Sequence, residues 1–236
     1  MNFSTLFRQL VGRGHTGPTN EVASKEQMAY LRRLEKTVRL ARDFDQPFHQ
    51  NEFVILDIET TGFEALRGDE ILSIGAIKVR GNKVTTEQFY ALTKIQGWIS
   101  KEVEELTGIT NKEIANAFPL RDVLEQFMRF IGHRPLIAHH AQHERDFLET
   151  YYLKCFQKKF QHRIIDTHIA LQVCGVTSSV ITLDEACTHY QVPIKNRHHA
   201  LGDAQLTAQL WLTLVEQLQE YDINTLEQLY SQYIQR

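Results

Sequence analysis

The hydrophobic pattern of the chain alternates between short apolar runs and segments with helical spacing. Three runs, at 53–58, 70–79 and 83–92, predict strands, and the turn dipeptide Gly81-Asn82 joins the last two as a hairpin. Further along, the pattern predicts strands at 135–138 and 163–165 and helices at 120–131, 141–157, 168–174, 182–190 and 200–219. The order βββαβαβα predicts an α/β fold with a hairpin at one sheet edge, parallel strands beyond it and helices on its faces.

The first 50 residues differ from this pattern and predict an N-terminal helical extension that precedes the main domain at 51–236. Apolar residues recur every three or four positions between Ser24 and Phe44, as expected of one amphipathic helix. Its apolar stripe would dock on the chain's own domain or on another protein. The basic excess is also here, with eight Lys and Arg against five Asp and Glu in residues 1–50.

Composition narrows the class of protein. The 236 residues are 42% hydrophobic with a net charge of −3, so any nucleic-acid site must be a local patch rather than a global basic field. No apolar run is long enough for a membrane span, and the three cysteines lack metal-ligand spacing. We therefore expect a cytoplasmic protein with reduced thiols and no membrane partner.

The first candidate for chemistry is the pair Asp57 and Glu59 at the end of the first predicted strand. Residues i and i+2 of a strand point to the same face, so the two carboxylates project together and repel each other. Divalent cations between them would remove this repulsion, and oxygen ligands suit magnesium or manganese. An exposed strand end beside a turn is the plain alternative. The Thr60-Thr61-Gly62 turn that follows would let the backbone approach a substrate closely.

Two later clusters, at 138–144 and 198–204, also combine histidines with an acid where a strand or loop meets a helix. Acidic groups at such positions can converge on one crevice. His139 and His143 have the i, i+4 spacing of a helical zinc pair, which keeps a zinc site as an alternative reading of the first cluster. Four aromatic residues are candidates for stacking on bases, with packing in the core or at its rim as the plain alternative: Phe63, Trp98, Tyr151 and Tyr152.

The chain resembles the DEDDh 3′–5′ exonucleases, the family of the proofreading epsilon subunit of bacterial DNA polymerase III. The resemblance spans about 52–215 and rests on the segments FVILDIETTGF, EILSIGAIKV, LTGIT, LIAHHAQHERDFL, IIDTHIAL and HHALGDAQLTAQ. It implies a ribonuclease H-like fold with a five-stranded mixed sheet, and four acids that hold two Mg²⁺ or Mn²⁺ ions. The implied partners are 3′ ends of single-stranded DNA or RNA, and a DNA polymerase.

The resemblance also assigns roles to residues. Asp57 would bridge both metals, and Glu59 would hold one metal and contact the terminal 3′ hydroxyl. Asp203 would ligate the metal that presents the attacking water, and His198, five residues earlier, would be the general base. An unperturbed histidine in this role predicts activity that rises through neutral pH. The expected substrate contacts are Thr60, Thr61, Gly62, His139 and His140.

The second motif departs from the family pattern, because Glu144 occupies the position where an aspartate is usual. We take Glu144 as the fourth metal ligand, since Asp146 lies about 200° around a helix from it. The extra methylene would disturb the geometry and weaken activity. The readings left open are therefore an active exonuclease on DNA or RNA, a catalytically weakened nucleic-acid-binding module of the same fold, and metal-dependent degradation of small nucleotides.

Overall fold

The computed structural model describes residues 44–178 and 181–235. The predicted helix between Ser24 and Phe44 lies outside these ranges except for its last residue, and the division at residue 50 stays a prediction. Phe48, on the N-terminal side of that division, is fully buried and packs edge-on against Trp211 at 5.9 Å between ring centroids. The backbone N–H of Phe48 donates to the carbonyl of Asn224 at 2.8 Å. Residues just before 51 therefore pack against the domain.

The sheet confirms the α/β class, with a hairpin at one side and parallel strands at the other. It has the order β4-β3-β2-β1-β5-β6, with β1–β2 and β2–β3 antiparallel and the β1–β5, β5–β6 and β3–β4 pairs parallel. The strands are β1 Glu52–Thr60, β2 Ile71–Arg80, β3 Lys83–Lys94, β4 Phe118–Pro119, β5 Leu136–Ala138 and β6 Ile164–Asp166. The sequence predicted five strands, whereas the described part of the structure has six. The additional strand is β4, whose two residues are too few to produce a periodic signal.

Eight helices in the described ranges surround the sheet. They are α1 Lys101–Thr107, α2 Asn111–Ala115, α3 Leu120–Ile131, α4 Gln142–Phe156, α5 Thr167–Val173, α6 Leu183–His189, α7 Ala200–Glu220 and α8 Leu226–Ile234. The five predicted helices are confirmed, whereas α1, α2 and α8 were missed. Two of these three short helices begin with a capping box, formed by Thr110 with Glu113 and by Thr225 with Gln228. Capping residues, rather than hydrophobic periodicity, are therefore the sequence signal for these two helices. None of the helices in the described ranges combines the length and apolar content that a membrane crossing needs.

A close contact between β2 and α7 positions the start of the long helix. Gly75 pairs with Asp57 across the β1–β2 ladder. A Cβ at Gly75 would lie 2.2 Å from both the carbonyl carbon of Ala200 and the nitrogen of Leu201. The first turn of α7 therefore rests directly on the sheet beside Asp57, which only glycine allows.

Candidate active site

Three carboxylates converge where β1 ends and α7 begins. Asp57 and Glu59 project from β1 and Asp203 from the first turn of α7, with their oxygens within 4.8 Å of one another. The alternation of the strand and the close contact at Gly75 produce this arrangement. Within the described residues, no other group of three or more acidic, histidine or cysteine side chains meets in this way. Hard carboxylate oxygens at such distances fit Mg²⁺ or Mn²⁺.

The electrostatics of this cluster favour a bound cation. Burial, followed by repulsion from Glu144, Glu59 and Asp203, raises the pKa of Asp57 well above its usual value. Burial, followed by repulsion from Asp203, raises the pKa of Glu59 to about 7. Without a cation the cluster therefore retains protons near neutral pH. A divalent ion would replace these protons and cancel the repulsion.

Glu144 lies in the first turn of α4, only 3% exposed. Its Oε2 is buried and has no hydrogen-bond partner in the described part of the chain. Burial is the main cause that raises the pKa of Glu144 to about 8. Its charge acts on Asp57, although its oxygens lie outside the set of three that meet within 4.8 Å. The alternative acid Asp146 is exposed and accepts a hydrogen bond from Gln142 Nε2 at 2.6 Å.

Asp203 is held by an arginine that the sequence reasoning missed. Arg197 donates from Nη1 to Asp203 Oδ2 and from Nε to Asp184 Oδ1, the latter at 2.6 Å. The backbone N–H of His198 donates to the same Oδ2 at 3.2 Å. Asp203 Oδ1 is buried and has no hydrogen-bond partner among the described residues. One oxygen of Asp203 is thus fixed by the protein and the other is free for a metal, which supports the fit of the site to cations.

The two adjacent histidines before α7 have different surroundings. His198 has a φ of 58°, a left-handed backbone conformation that is uncommon for a non-glycine residue. Its backbone contact with Asp203 keeps it at the edge of the acid cluster. His199 caps α7, since its Nδ1 accepts the N–H of Gly202 at 3.3 Å, and its ring stacks on Tyr90 at 4.4 Å. His199 therefore has a structural role.

The histidines near α4 do not form a zinc site. His139 is buried, with Nδ1 2.8 Å from Thr167 Oγ1 and Nε2 2.8 Å from the carbonyl of Ile181. Burial, followed by the proximity of His140, lowers its pKa to about 4. Both of its ring nitrogens are engaged within the protein, so neither is free for zinc or phosphate. His140 is exposed and has a φ of 58°.

Asp166 braces the turn that carries these histidines. It caps α5 by accepting the His168 N–H at 2.9 Å. It also accepts the backbone N–H groups of His140 and Ala141, at 3.2 and 3.0 Å. These contacts join the end of β6 to the turn between β5 and α4. They fix the backbone just before Glu144.

The Thr60–Gly62 turn is also held in place. The Thr60 hydroxyl donates to the carbonyl of Gly62 at 2.6 Å and lies 3.4 Å from His143 Nε2. The N–H of Thr61 donates to the carbonyl of Glu70 at 2.9 Å. This turn follows Glu59 directly. Its backbone therefore has a fixed position beside the acid cluster.

Known proteins resemble this chain in sequence and in fold. Residues 54–211 match the RNase_T family model, described as an exonuclease. A PolC-type DNA polymerase III from Thermotoga maritima is 32% identical over 83% of this chain, which spans only 14% of that protein. The DNA polymerase III epsilon subunit of Aquifex aeolicus is 28% identical over 70% of this chain and 81% of that subunit.

Two solved structures show the same fold. Exonuclease X in complex with 5′ overhanging duplex DNA has a TM-score of 0.60 at 19% identity, over 77% of this chain and 99% of that one. Exonuclease I of E. coli with a dT13 oligonucleotide has a TM-score of 0.61 at 13% identity, over 73% of this chain and 43% of that one. The expected ribonuclease H-like fold is confirmed.

Proposed function

The chain belongs to the RNase T exonuclease family, and from this premise we propose that it removes nucleotides from the 3′ end of single-stranded DNA by DEDDh-type chemistry. The observation that carries the proposal is the convergence of Asp57, Glu59 and Asp203, with Glu144 close enough for its charge to act on Asp57. These four acids would hold two divalent cations, Mg²⁺ or Mn²⁺. We propose DNA because the related proteins are DNA polymerase III chains, and RNA cleavage is an outcome of the test.

The chemistry divides between the metals and the protein. Two bound cations would supply an activated water and stabilise the departing 3′ oxygen. Arg197 holds one oxygen of Asp203. The other oxygen of Asp203 has no hydrogen-bond donor among the described residues. His198, next to Arg197, would accept the water's proton. The backbone of the Thr60–Gly62 turn would bind the terminal nucleotide, with the exposed His140 near its phosphate.

A strand-shortening assay tests this function. A 5′-labelled single-stranded DNA and a matching RNA are incubated with Mg²⁺, Mn²⁺ or EDTA and separated by length. We expect a ladder that shortens from the 3′ end of the DNA in either metal and none in EDTA. A strand with a 3′-phosphate is the matched control, because its end should be cut more slowly. Release of the 5′ label as the first product would contradict the proposal, and binding without cleavage would favour the weakened binding module.

The proposed role of Glu144 predicts a graded response to substitution. Glu144→Gln keeps the shape of the side chain but removes the charge, so kcat/KM should fall about 10²-fold and the Mg²⁺ requirement should rise. Glu144→Asp keeps the charge, and kcat/KM should stay within about tenfold of the wild type. Initial rates are measured over a Mg²⁺ titration. Asp146→Asn, two residues away on the opposite face of the helix and exposed, is the matched control and should behave as the wild type.

If Asp146→Asn loses activity and Glu144→Gln does not, the assignment of the fourth acid is reversed.

The raised pKa values of Glu59 and Glu144, about 7 and 8, predict a pH-dependent response to metal. In the metal-free protein these carboxyls keep their protons to higher pH than in the unfolded chain. The free energy of unfolding should therefore fall as pH rises from about 5 to 8. Mg²⁺ binds the deprotonated form, so the increase in Tm that it causes should be larger at pH 8.5 than at pH 6.

Thermal melts with Mg²⁺ or EDTA at matched ionic strength measure this difference. An increase in Tm that is the same at both pH values would show that protons and metal do not compete.

A DNA polymerase is the protein partner we propose, since the relatives are polymerase III chains or subunits. Residues 1–43 precede the described domain and carry most of the basic excess, so they are the segment we assign to it. Co-purification of a polymerase with the full chain, but not with a chain that starts at residue 44, tests this assignment.

A further inference from the structure

Trp98 is a large aromatic side chain that the fold leaves in solvent. It is 84% exposed and lies in the connection between β3 and α1. The other tryptophan, Trp211, is fully buried against Phe48 and Phe53. The Trp98 indole is not packed against the described residues, so its apolar face and its N–H are both accessible to a partner.

The loop that carries Trp98 is anchored on both sides. Ile95 and Ile99 are buried in one hydrophobic cluster with Leu72. The side chain of Asn111 accepts the N–H of Ile99 at 2.8 Å and donates to its carbonyl at 3.1 Å. Only residues 96–98 project from these anchors. The indole is therefore presented by a short fixed tip, which reduces the entropy lost when it binds a partner.

The same loop is tied to the substrate turn of the active site. The carboxylate of Glu70 accepts the N–H of Gln96 at 3.1 and 3.2 Å. The backbone of Glu70 pairs with Thr61, with its N–H on Thr61 Oγ1 at 2.9 Å and its carbonyl on the Thr61 N–H at 2.9 Å. One residue thus connects the Trp98 loop to the Thr60–Gly62 turn.

The register of the sheet relates the position of β3, which leads into the Trp98 loop, to that of the acid cluster. Glu59 pairs with Ser73, and Ser73 pairs with Leu92. Neighbouring strands lie about 4.8 Å apart, so the Cα atoms of Glu59 and Leu92 are about 10 Å apart. β1 and β3 are both antiparallel to β2, so their C-terminal ends lie at the same edge of the sheet. Because β3 leads directly into the Trp98 loop, this loop lies at the same sheet edge as the acid cluster.

One lysine next to Trp98 is available to a nucleic-acid strand. Lys94 and Lys101 flank the loop and are both exposed, but Lys101 pairs with Glu105 at 3.5 Å. Lys94 has no carboxylate within ion-pair distance among the residues that the structure describes, so it is available to a phosphate.

Glu102 and Glu105 of α1 are exposed acids near the loop, and Glu104 is engaged by Asn111 at 2.6 Å. An aromatic platform beside Lys94 can therefore bind a single strand by stacking, with one phosphate contact at this lysine.

We propose that Trp98 is a stacking platform for a base of the single-stranded substrate upstream of the terminal nucleotide. This inference rests on the proposed function and extends it to the substrate subsites. The indole face stacks on the base, and Lys94 neutralises a neighbouring phosphate. The contact does not depend on base identity, because every base has a π face.

Binding of short and long oligonucleotides tests this role. Fluorescence anisotropy of 5′-labelled (dT)2 and (dT)12 is measured with Ca²⁺ in place of Mg²⁺, and a gel verifies that the strands stay intact. We expect Trp98→Leu to weaken (dT)12 binding by about five- to fiftyfold and to leave (dT)2 binding unchanged. Trp98→Phe keeps an aromatic face and should stay within about threefold of the wild type.

Tyr221→Leu is the matched control. Tyr221 is also an exposed aromatic residue, but it follows the last residue of the 21-residue helix α7, about 30 Å from the first turn. Its substitution should leave both affinities unchanged.

The outcomes separate this inference from the function on which it rests. If the wild type cuts and binds (dT)12 but Trp98→Leu binds it equally well, the stacking role is wrong and the exonuclease stands. If Trp98→Phe binds as weakly as Trp98→Leu, the base does not stack on an aromatic ring there. If the wild type neither binds nor cuts, the function itself is wrong.

Discussion

Replacing Asp57 by asparagine is expected to lower the exonuclease rate about 10³-fold and to raise the Tm of the metal-free protein. The activity falls because an amide cannot balance two cations. The stability rises because burial, followed by repulsion from Glu144, Glu59 and Asp203, raises the pKa of Asp57 well above its usual value, so its charged form is unfavourable in the fold. A neutral side chain of the same size removes that repulsion.

Two measurements test whether the rate falls while the Tm rises. Initial rates with Mg²⁺ give the loss of activity, and melts in EDTA give the change in stability. A gain of ~1–2 kcal/mol would raise the Tm of a domain of this size by about 2–8 °C. Glu105→Gln, a charge removed from an exposed helix position, is the control and should change neither quantity. A variant with reduced activity and a lower Tm would mean that Asp57 stabilises the fold rather than a metal.

The hydrophobic periodicity of the sequence predicted those features of the site that depend on local backbone geometry. Asp57 and Glu59 project together because strand alternation is fixed by the backbone, whatever the rest of the chain does. Asp203 joins them from α7, 144 residues beyond Glu59 in the sequence. The cluster at 198–204 indicated that its acid could reach the same crevice, but only the resemblance to a family made Asp203 a metal ligand. Convergence of this kind depends on how helices pack on the sheet, which periodicity does not encode.

Arg197 and His139 show where sequence reasoning reached its limit. Arg197 is one of 26 lysines and arginines in the chain, and no spacing rule marks it as the partner of both Asp184 and Asp203. His139 belongs to a histidine cluster that suggests ligands, but its contacts with Thr167 and Ile181 come from distant segments. In both cases the role depends on tertiary contacts of one side chain.

Gly75→Ala is expected to have a large effect on both stability and activity, although Gly75 carries no functional group. The added Cβ would lie 2.2 Å from the carbonyl carbon of Ala200 and 2.5 Å from its oxygen, so either the helix or the strand must move. Overpacking against backbone atoms should lower the free energy of unfolding by about 3 kcal/mol. Because Asp57 lies opposite Gly75 in the ladder, the movement separates Asp203 from the acids of β1.

A displacement of 1 Å at a reacting centre can cost about 10²-fold in rate, so kcat should fall by that order even well below the Tm, where the variant is folded. Urea unfolding gives the stability, and rates at 20 °C for the folded protein give the activity. Gly97→Ala is the matched control for stability, since a Cβ there meets no atom within 4 Å and should leave the free energy of unfolding unchanged. A Gly75→Ala protein that is less stable but cleaves at the wild-type rate would show that the acids of the sheet and of α7 work without this close contact. A loss of both would tie catalysis to the distance between one strand and the first turn of one helix.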